Sequence, residues 1–502
     1  MNSRKYSSLV LGFLLSGSAY TASAQDATDA LRYSFLSPQG TARSMGFGSA
    51  LGSVGGDFTS LSVNPAGIGV YRRSEVMFTP SLKFNSADAT YMGELNDDNT
   101  VKFNFNNLGI VFTRAERGKR YDRASWKAVS FGVGINRLAD FNRRYTYGGL
   151  MQGPAASNEH SSFSELFVND ANEYPGSIDV EGSLAYLGYQ SYLINQDPQS
   201  GAYYSQAFWE PGLNQLRSVQ EKGGINELVF SFGGNYQERL MLGATLGVPI
   251  VRYTRDAFFE ETDASGDPNN DFASFRYRQS LVTTGSGVNL KLGAIYRASD
   301  QIRLGAAIHT PTWMSLTEAF NESLTANTES LAGIVDVANP ENRFEYHMTT
   351  PWRAVLSATG FLGTSGFITA DYEYVGYNSM RFRFENEYSD AERVRNQELR
   401  NNFQGTSNFR LGAEFRLDNI FIRGGGGYYG NPYKDGDNKM SRLDLSLGLG
   451  YRTESFFMDL GFVHSRFDQT ERPYTLPEPV VVPVADIEHS LNNIALTIGW
   501  KL

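Results

Sequence analysis

The amino-acid sequence predicts an all-β transmembrane antiparallel barrel, and three features of the chain lead to this prediction. Apolar and polar side chains alternate along many short segments, as in strands with one face toward lipid and one toward a polar interior. No stretch approaches the roughly 20 apolar residues that a membrane-spanning helix needs. Short turns between these segments alternate with long polar connections, which is typical of outer-membrane barrels.

The alternation continues to the end of the chain. Between Leu443 and Arg452 every second residue is apolar, and the residues between them are polar or glycine. Successive side chains of a strand point to opposite faces, so each such segment has one apolar and one polar side. With 51 glycines, 13% aromatic residues and a mean hydropathy of −0.35, the composition fits a barrel wall better than a globular core.

Fourteen strands are predicted, with twelve or sixteen as alternatives, and both termini of the chain are expected on the periplasmic side, where the short turns lie. The longest connection, 138–224, is expected to lie outside the cell. The predicted strands are 74–84, 102–113, 126–137, 225–237, 240–254, 286–297, 301–311, 350–362, 366–376, 405–417, 420–429, 441–452, 455–466 and 489–501.

Charged residues within the strands fall on the face opposite the apolar residues. Each would be costly toward lipid at mid-depth, about 2–4 kcal/mol for Arg or Lys, so we expect them to face the lumen. Closure is expected because an open sheet edge in hydrocarbon leaves backbone groups unpaired. The predicted lumenal charges are Lys291, Arg303, Asp371, Glu373, Arg410, Glu414, Asp444 and Asp459.

The N-terminus has the layout of a secretory signal peptide. Arg4 and Lys5 form a basic start, an apolar stretch follows from Leu9 to Leu15, and Ala22-Ser23-Ala24 forms a cleavage site. We therefore expect residues 1–24 to be removed on export to the bacterial outer membrane. The net charge of −10 without basic clusters argues against nucleic-acid binding.

Residues 25–73 differ from the rest of the chain because they are rich in Gly and Ser and lack sustained alternation. They contain Asn64-Pro65-Ala66-Gly67, a turn-forming sequence placed just before the first strand. Together with several strand motifs, this segment resembles the long-chain fatty-acid transporter (FadL/TodX-type) family of outer-membrane proteins. The motifs that carry the resemblance are Gly46–Ala50, Asn64–Gly67, Ile302–Pro311, Thr350–Arg353, Asp371–Tyr374 and Phe409–Phe415.

The resemblance implies a division of the mature chain into a hatch, 25–73, inside a barrel, 74–502. It also implies that hydrophobic substrate is captured at outer loops, that the hatch moves, and that substrate leaves sideways at an inward kink in the third strand. Ser130, Gly132 and Gly134 are the residues expected at that kink. Alternatively, the two glycines provide space for packing against the hatch.

Closely spaced apolar residues in the long connection are candidates for a hydrophobic capture groove. The alternative is that they fold this connection onto itself or onto the barrel. The candidates are Leu184, Tyr186, Leu187, Tyr189, Tyr192, Leu193, Ile194, Phe208 and Trp209.

The expected function is passive transport of hydrophobic small molecules, such as long-chain fatty acids, by a monomer without cofactor or metal. The expected partners are this substrate, outer-membrane lipid and lipopolysaccharide, and the barrel-assembly machinery. No catalytic residues are predicted, since the five histidines lie in no known catalytic motif. A general diffusion porin and a surface-binding adhesin are the alternatives, and haem uptake is disfavoured by the few histidines.

Overall fold

A computed structural model describes residues 27–151, 162–207, 212–435, 440–477 and 480–502. The predicted signal peptide lies outside these ranges. No helix within them is long and apolar enough to cross a membrane.

Twenty-one strands are present in the described ranges. In chain order they are β1 (Glu75–Tyr91), β2 (Glu94–Ala115), β3 (Trp126–Asp140), β4 (Arg143–Met151), β5 (Ile194–Gln196), β6 (Tyr203–Ser205), β7 (Leu213–Tyr236), β8 (Leu240–Asp263), β9 (Ser274–Arg297), β10 (Ile302–His309), β11 (Trp313–Asn327), β12 (Ile334–Ala338), β13 (Asn342–Thr349), β14 (Arg353–Phe361), β15 (Gly366–Gly376), β16 (Arg381–Arg383), β17 (Gly405–Leu417), β18 (Ile420–Tyr429), β19 (Arg442–Arg452), β20 (Phe456–Glu471) and β21 (Ala485–Lys501).

The helices lie in the N-terminal segment, in one turn and in the outer connections. The α-helices are α1 (Ala27–Ser34), α2 (Ala42–Gly46), α3 (Ser60–Val63), α4 (Lys119–Arg123), α5 (Glu165–Glu173), α6 (Leu184–Gln190) and α7 (Ser389–Asn402). The 3₁₀-helices are Pro65–Val70, Pro175–Asp179, Tyr377–Ser379 and Asn386–Tyr388.

Fourteen of the strands form a closed antiparallel ring. Its order is β1, β2, β3, β7, β8, β9, β10, β14, β15, β17, β18, β19, β20 and β21. The last strand returns to the first, with Lys501 opposite Glu75 and Asp486 opposite Thr90. The predicted strand number is confirmed, and every predicted strand lies on one of these fourteen.

The structure differs from the prediction in the outer connections, where much of the chain expected as loop is strand. β8 continues to Asp263 and β9 begins at Ser274, so only 264–273 connects them. The predicted connection 312–349 contains the whole of β11, β12 and β13. Beyond the lipid a strand does not need an apolar face. Backbone pairing therefore continues past the point where the alternation of apolar and polar residues ends.

Burial along the wall is the reverse of that in a soluble protein. Leu447, Leu411 and Phe105 on the outer face are 64%, 62% and 62% exposed, while lumenal charges such as Asp371 and Arg410 are buried. Of the eight predicted lumenal charges, only Arg303 is half-buried rather than buried. A closed antiparallel barrel with an apolar outer surface is the architecture of bacterial outer-membrane proteins.

The lipid-facing belt can be tested by substitution. Leu447 lies at the middle of β19, so Leu447→Arg should lower the free energy of unfolding by about 2–4 kcal/mol. Leu95→Arg is the control, because Leu95 is also exposed (70%) but lies at the outer tip of the β1–β2 hairpin. Denaturant unfolding in lipid vesicles measures both variants, and equal destabilisation would contradict this position of the belt.

Candidate functional site

The N-terminal segment 27–73 fills the bore of the barrel, and we call it the hatch. Most of its residues from Thr41 to Tyr71 are buried. Helix α2 packs against β18–β21, and the 3₁₀-helix Pro65–Val70 packs against β3, β7, β8 and β9. The hatch therefore crosses the bore from wall to wall.

Glycines of the wall provide the space in which the hatch backbone lies. A Cβ atom at Gly412 would stand 2.1 Å from the carbonyl oxygen of Phe47, and one at Gly243 would stand 2.2 Å from that of Pro65. Any side chain at these positions would displace the hatch. The high glycine content of the sequence is thus explained in part by hatch–wall contact.

The predicted turn Asn64–Gly67 lies at the centre of this contact. Asn64 is fully buried, and its amide nitrogen donates to the carbonyl oxygens of Gly52 at 2.6 Å and Ala294 at 3.2 Å. Its side-chain oxygen accepts from the backbone N–H of Ala66 at 3.1 Å, which caps the 3₁₀-helix that Pro65 begins. Asn64 therefore joins the hatch to itself and to β9.

A buried ion-pair network holds the opposite side of the hatch. Arg43 contacts Glu414 of β17, with Nε–Oε2 and Nη2–Oε1 distances of 2.9 and 3.1 Å. Arg423 joins Glu414 to Asp459, at 2.6 and 2.7 Å, and Arg452 lies 3.0 Å from Asp459. The sequence predicted Glu414 and Asp459 as lumenal, but nothing in it distinguished Arg43 as their partner.

On the β7–β9 side, polar contacts hold the residues just before the turn. Ser62 donates to Glu227 at 2.9 Å, and Nε2 of His309 donates to the carbonyl oxygen of Val63 at 2.8 Å. Lys291 forms an ion pair with the same glutamate. These hydrogen bonds and ion pairs hold the hatch to the wall together with buried apolar clusters that the hatch and the wall share.

A cavity of about 1620 Å³ lies between the hatch and the outer connections. Helix α1 of the hatch contributes to its lining, and aromatic residues of the outer part, including Phe163, Tyr277 and Tyr474, line it as well. Asp170 of α5 also faces this cavity, and burial raises the pKa of its carboxyl group. The cavity is large enough for a ligand with an extended apolar part.

Two arginines of this cavity share one carboxylate. Arg217 and Arg255 lie 3.6 and 3.8 Å from Oε1 of Glu471. The side chain of Arg217 is 4% exposed, yet its Nε has no hydrogen-bond partner among the described residues. This pair carries more positive charge than Glu471 neutralises, and such a site suits an anionic group.

The wall is incomplete between β2 and β3, and we call this place the seam. β2 pairs with β3 only from Asn107 to Ala115, opposite Asn136 to Ala128. Within the described chain, the outer part of β2, 94–106, pairs only with β1. Beyond β3 the chain continues as β4, which pairs with β7 and packs beside the β1–β2 hairpin without backbone pairing.

The seam reaches into the lipid-facing belt. Three outward-facing residues lie on the part of β2 that pairs only with β1. They are Val101, Phe103 and Phe105, which are 57%, 58% and 62% exposed. On the inside, Lys83, Asp140 and other residues beside the seam line the large cavity. The seam therefore lies between the cavity and the surrounding lipid.

The residues predicted at a kink in the third strand lie below the seam. Ser130, Gly132 and Gly134 are paired without interruption to both β2 and β7. A Cβ at Gly132 would stand 3.0 Å from the side chain of Leu61, and one at Gly134 would stand 2.6 Å from that of Phe58. The glycines thus provide space for the hatch, and the irregularities in the pairing of β3 with β7 lie on either side of them, between Trp126 and Ala128 and between Arg137 and Ala139.

The residues predicted to form a capture groove are mostly packed inside the outer part of the protein. Leu187, Leu193 and Ile194 are fully buried in a cluster with Phe163, Phe167 and Tyr277, and only Tyr192 is largely exposed. Leu184, Tyr186 and Tyr189 are partly buried against this cluster, and Leu184 also lines the cavity. Phe208 and Trp209 lie outside the described residues. The described candidates thus contribute to a small core, because one face of α6 is covered.

Comparison with solved structures identifies barrels of similar architecture. A FadL homologue from Pseudomonas aeruginosa is 12% identical and superposes with a TM-score of 0.54, over 93% of this chain and 99% of the other. The toluene transporters TbuX of Ralstonia pickettii and TodX of Pseudomonas putida are 15% and 12% identical, with TM-scores of 0.47 and 0.48. Each alignment covers 91% of this chain, and 99% and 97% of the two transporters. No protein-family model and no curated protein sequence matches the chain.

The chain has the fold of a FadL-type barrel. This conclusion rests on the first superposition, in which nearly the whole of both chains is aligned. The FadL-type fold and the apolar outer surface locate the protein in the bacterial outer membrane.

The anchoring of the hatch can be tested at Asn64. Asn64→Ala removes buried hydrogen bonds to Gly52 and Ala294, at a cost of about 1–3 kcal/mol. Amide hydrogen exchange in 41–71 should become about tenfold faster or more, while the barrel strands keep their protection. Asn99→Ala, on the exposed edge of β2, should leave both unchanged. Unaltered exchange in the hatch of Asn64→Ala would rule out this anchoring role.

Proposed function

We propose that this FadL-type barrel is a passive channel that carries hydrophobic molecules with an anionic group, such as long-chain fatty acids, across the outer membrane. The observation that carries the proposal is the combination of a blocked bore with a large cavity that borders a seam in the wall. The hatch lies below a molecule in this cavity. The seam lies beside the molecule, and lipid lies beyond the seam.

The proposed path begins in the outer cavity. A hydrophobic molecule that leaves water for this cavity gains roughly 25 cal/mol for each Å² of apolar surface that it buries. Movement of the hatch then frees the path within the bore, and the molecule leaves through the seam into lipid. Each step goes toward an environment that favours apolar surface, so no energy source is required.

The two arginines beside Glu471 support the proposal that the ligand has an anionic headgroup. A carboxylate on the ligand could accept hydrogen bonds from Arg217 and Arg255, which are held only at long distance by their own partner. The aromatic residues that line the same cavity would then contact the apolar part. This arrangement favours a fatty acid over a neutral hydrocarbon of the same length.

Reconstitution separates this function from that of a diffusion porin. Liposomes that contain the intact protein should take up oleate but should not swell rapidly in sugar solutions, because the hatch blocks the bore. A variant lacking 25–70 should lose selective oleate uptake and admit sugars. Rapid sugar entry through the intact protein would refute the proposal, as would oleate uptake equal to that of empty liposomes.

The anionic preference can be tested with a matched pair of ligands. The intact protein should bind oleate more tightly than oleyl alcohol by about tenfold or more, since a hydrogen bond to a charged group is worth roughly 1.5–3 kcal/mol. Arg217→Gln with Arg255→Gln should abolish this difference without lowering the affinity for the alcohol. Arg252→Gln, an exposed position on the same strand as Arg255, is the control. If the double variant kept the preference, the arginines would not form the headgroup site.

A further inference from the structure

One buried carboxylate, that of Asp140, lies at the seam and contacts residues of both β1 and β2. It is the last residue of β3, just before the chain turns into β4. Its side chain is 1% exposed, although it lies between the large cavity and the unpaired part of β2. A charged group buried at a break in the wall requires partners on one or both sides.

On its own side of the seam, Asp140 is held by neighbours in sequence. Arg137 donates to Oδ2 from Nε at 3.0 Å and from Nη2 at 2.7 Å. The backbone N–H and the side-chain amide of Asn142 both donate to Oδ1 at 3.1 Å. These contacts move with Asp140 when its segment moves, so they keep the carboxylate paired in any position of the segment.

Across the seam, Asp140 contacts both strands of the β1–β2 hairpin. Nζ of Lys83 on β1 lies 3.4 Å from Oδ1, and Nδ2 of Asn104 on β2 donates to Oδ2 at 3.0 Å. Beside them, Asn85 of β1 donates to the carbonyl oxygen of Asn142. No backbone ladder joins these edges within the described chain, so side chains make the connection.

We propose that Asp140 is the latch of the seam, which keeps the lateral path from the cavity to the lipid closed until substrate passes. The inference rests on the proposed transport function. When the latch opens, Asp140 retains Arg137 and Asn142, while Lys83 and Asn104 are left facing the cavity. The carboxylate then stays paired, and the ammonium group of Lys83 borders the cavity, where water or an anionic ligand can replace Asp140. The open arrangement is therefore accessible at moderate cost.

A second contact across the seam is weaker. Nε of Arg144 on β4 lies 3.3 Å from Asp98 on β2, and the side chain of Arg144 is 49% exposed. Exposed ion pairs contribute little to stability. Among the polar contacts across the seam, that of Asp140 is therefore the one whose removal should change the seam most.

The decisive variant is Asp140→Asn, which keeps the size of the side chain and removes its charge. Asp444→Asn is the matched control, because Asp444 is also buried and paired with an arginine. Its partner, Arg442, lies on the same strand, so this ion pair does not cross the seam. The chain contains no cysteine, so spin labels can be placed at Asn99→Cys on β2 and Leu150→Cys on β4. The distance between the labels reports the width of the seam without any transport assay.

With Asp140→Asn the distribution of distances between the labels should become wider. The ratio of open to closed seam should rise about tenfold, because one hydrogen-bonded contact of a charged group is lost. The control should keep the distribution of the unsubstituted barrel. An unchanged distribution in Asp140→Asn would overturn the latch, whatever the transport rates are. A widened distribution in a protein that carries no oleate would support the latch and refute the transport function.

A disulfide in place of the latch gives a second measurement. In Asn104→Cys with Asp140→Cys, oxidation should close the seam and reduce oleate uptake into liposomes to background, and reduction should raise uptake about tenfold above that of the unsubstituted protein. Equal uptake in the oxidised and reduced states would overturn the role of this contact. Electrophoretic mobility before and after heating shows that each variant forms a folded barrel.

Discussion

The requirement that every backbone N–H and C=O group in hydrocarbon be paired within the protein is the constraint on which this structure depends. It explains why the last strand returns to the first, with Lys501 opposite Glu75. It also makes the seam significant, because the outer part of β2 has one edge without a hydrogen-bonded strand partner in the described chain. A protein can retain such an edge in the lipid belt only if polar side chains or a passing ligand satisfy it, and the asparagine and aspartate residues gathered there are suited to this.

Closure has a second consequence, which is that polar residues collect on the inside. Charges that could not face lipid line the bore, and the hatch supplies groups of complementary charge, as Arg43 does for Glu414. Close approach is possible because the wall has glycine where the hatch backbone lies, as at Gly412 beside Phe47. The same alternation that places leucines toward lipid therefore also forms the surface that receives the hatch.

The sequence predicted the wall with accuracy but the interior and the outer part less well. The strands β15, β17 and β18 begin and end at the predicted residues. Tight turns such as Asp418-Asn419 mark their ends, and apolar and polar residues alternate along them because one face contacts lipid. The long strands β7–β9 were predicted too short, since outside the lipid their two faces no longer differ in polarity. Contacts such as that of Arg43 with Glu414 join residues far apart in the chain, and local patterns carry no information about them. For the same reason Leu187 and Leu193 could be recognised as apolar but not as covered by neighbouring segments.

The chemistry of the hatch–wall contact bears on whether the hatch can move. A hatch held by a large apolar surface would leave that surface exposed to water each time it shifted, at roughly 25 cal/mol per Å². Apolar clusters, such as Phe58 and Leu61 against Val111 and Val229, contribute in this way. The ion pairs, hydrogen bonds and contacts of backbone with glycine differ, because water that enters the bore can replace many of them. The net value of a hydrogen bond is small when water takes its place, about 0.5–1.5 kcal/mol. The apolar clusters therefore keep the hatch ordered, while its polar contacts can be exchanged for water or ligand when it moves. The carboxylate proposed to close the seam follows the principle of these polar contacts.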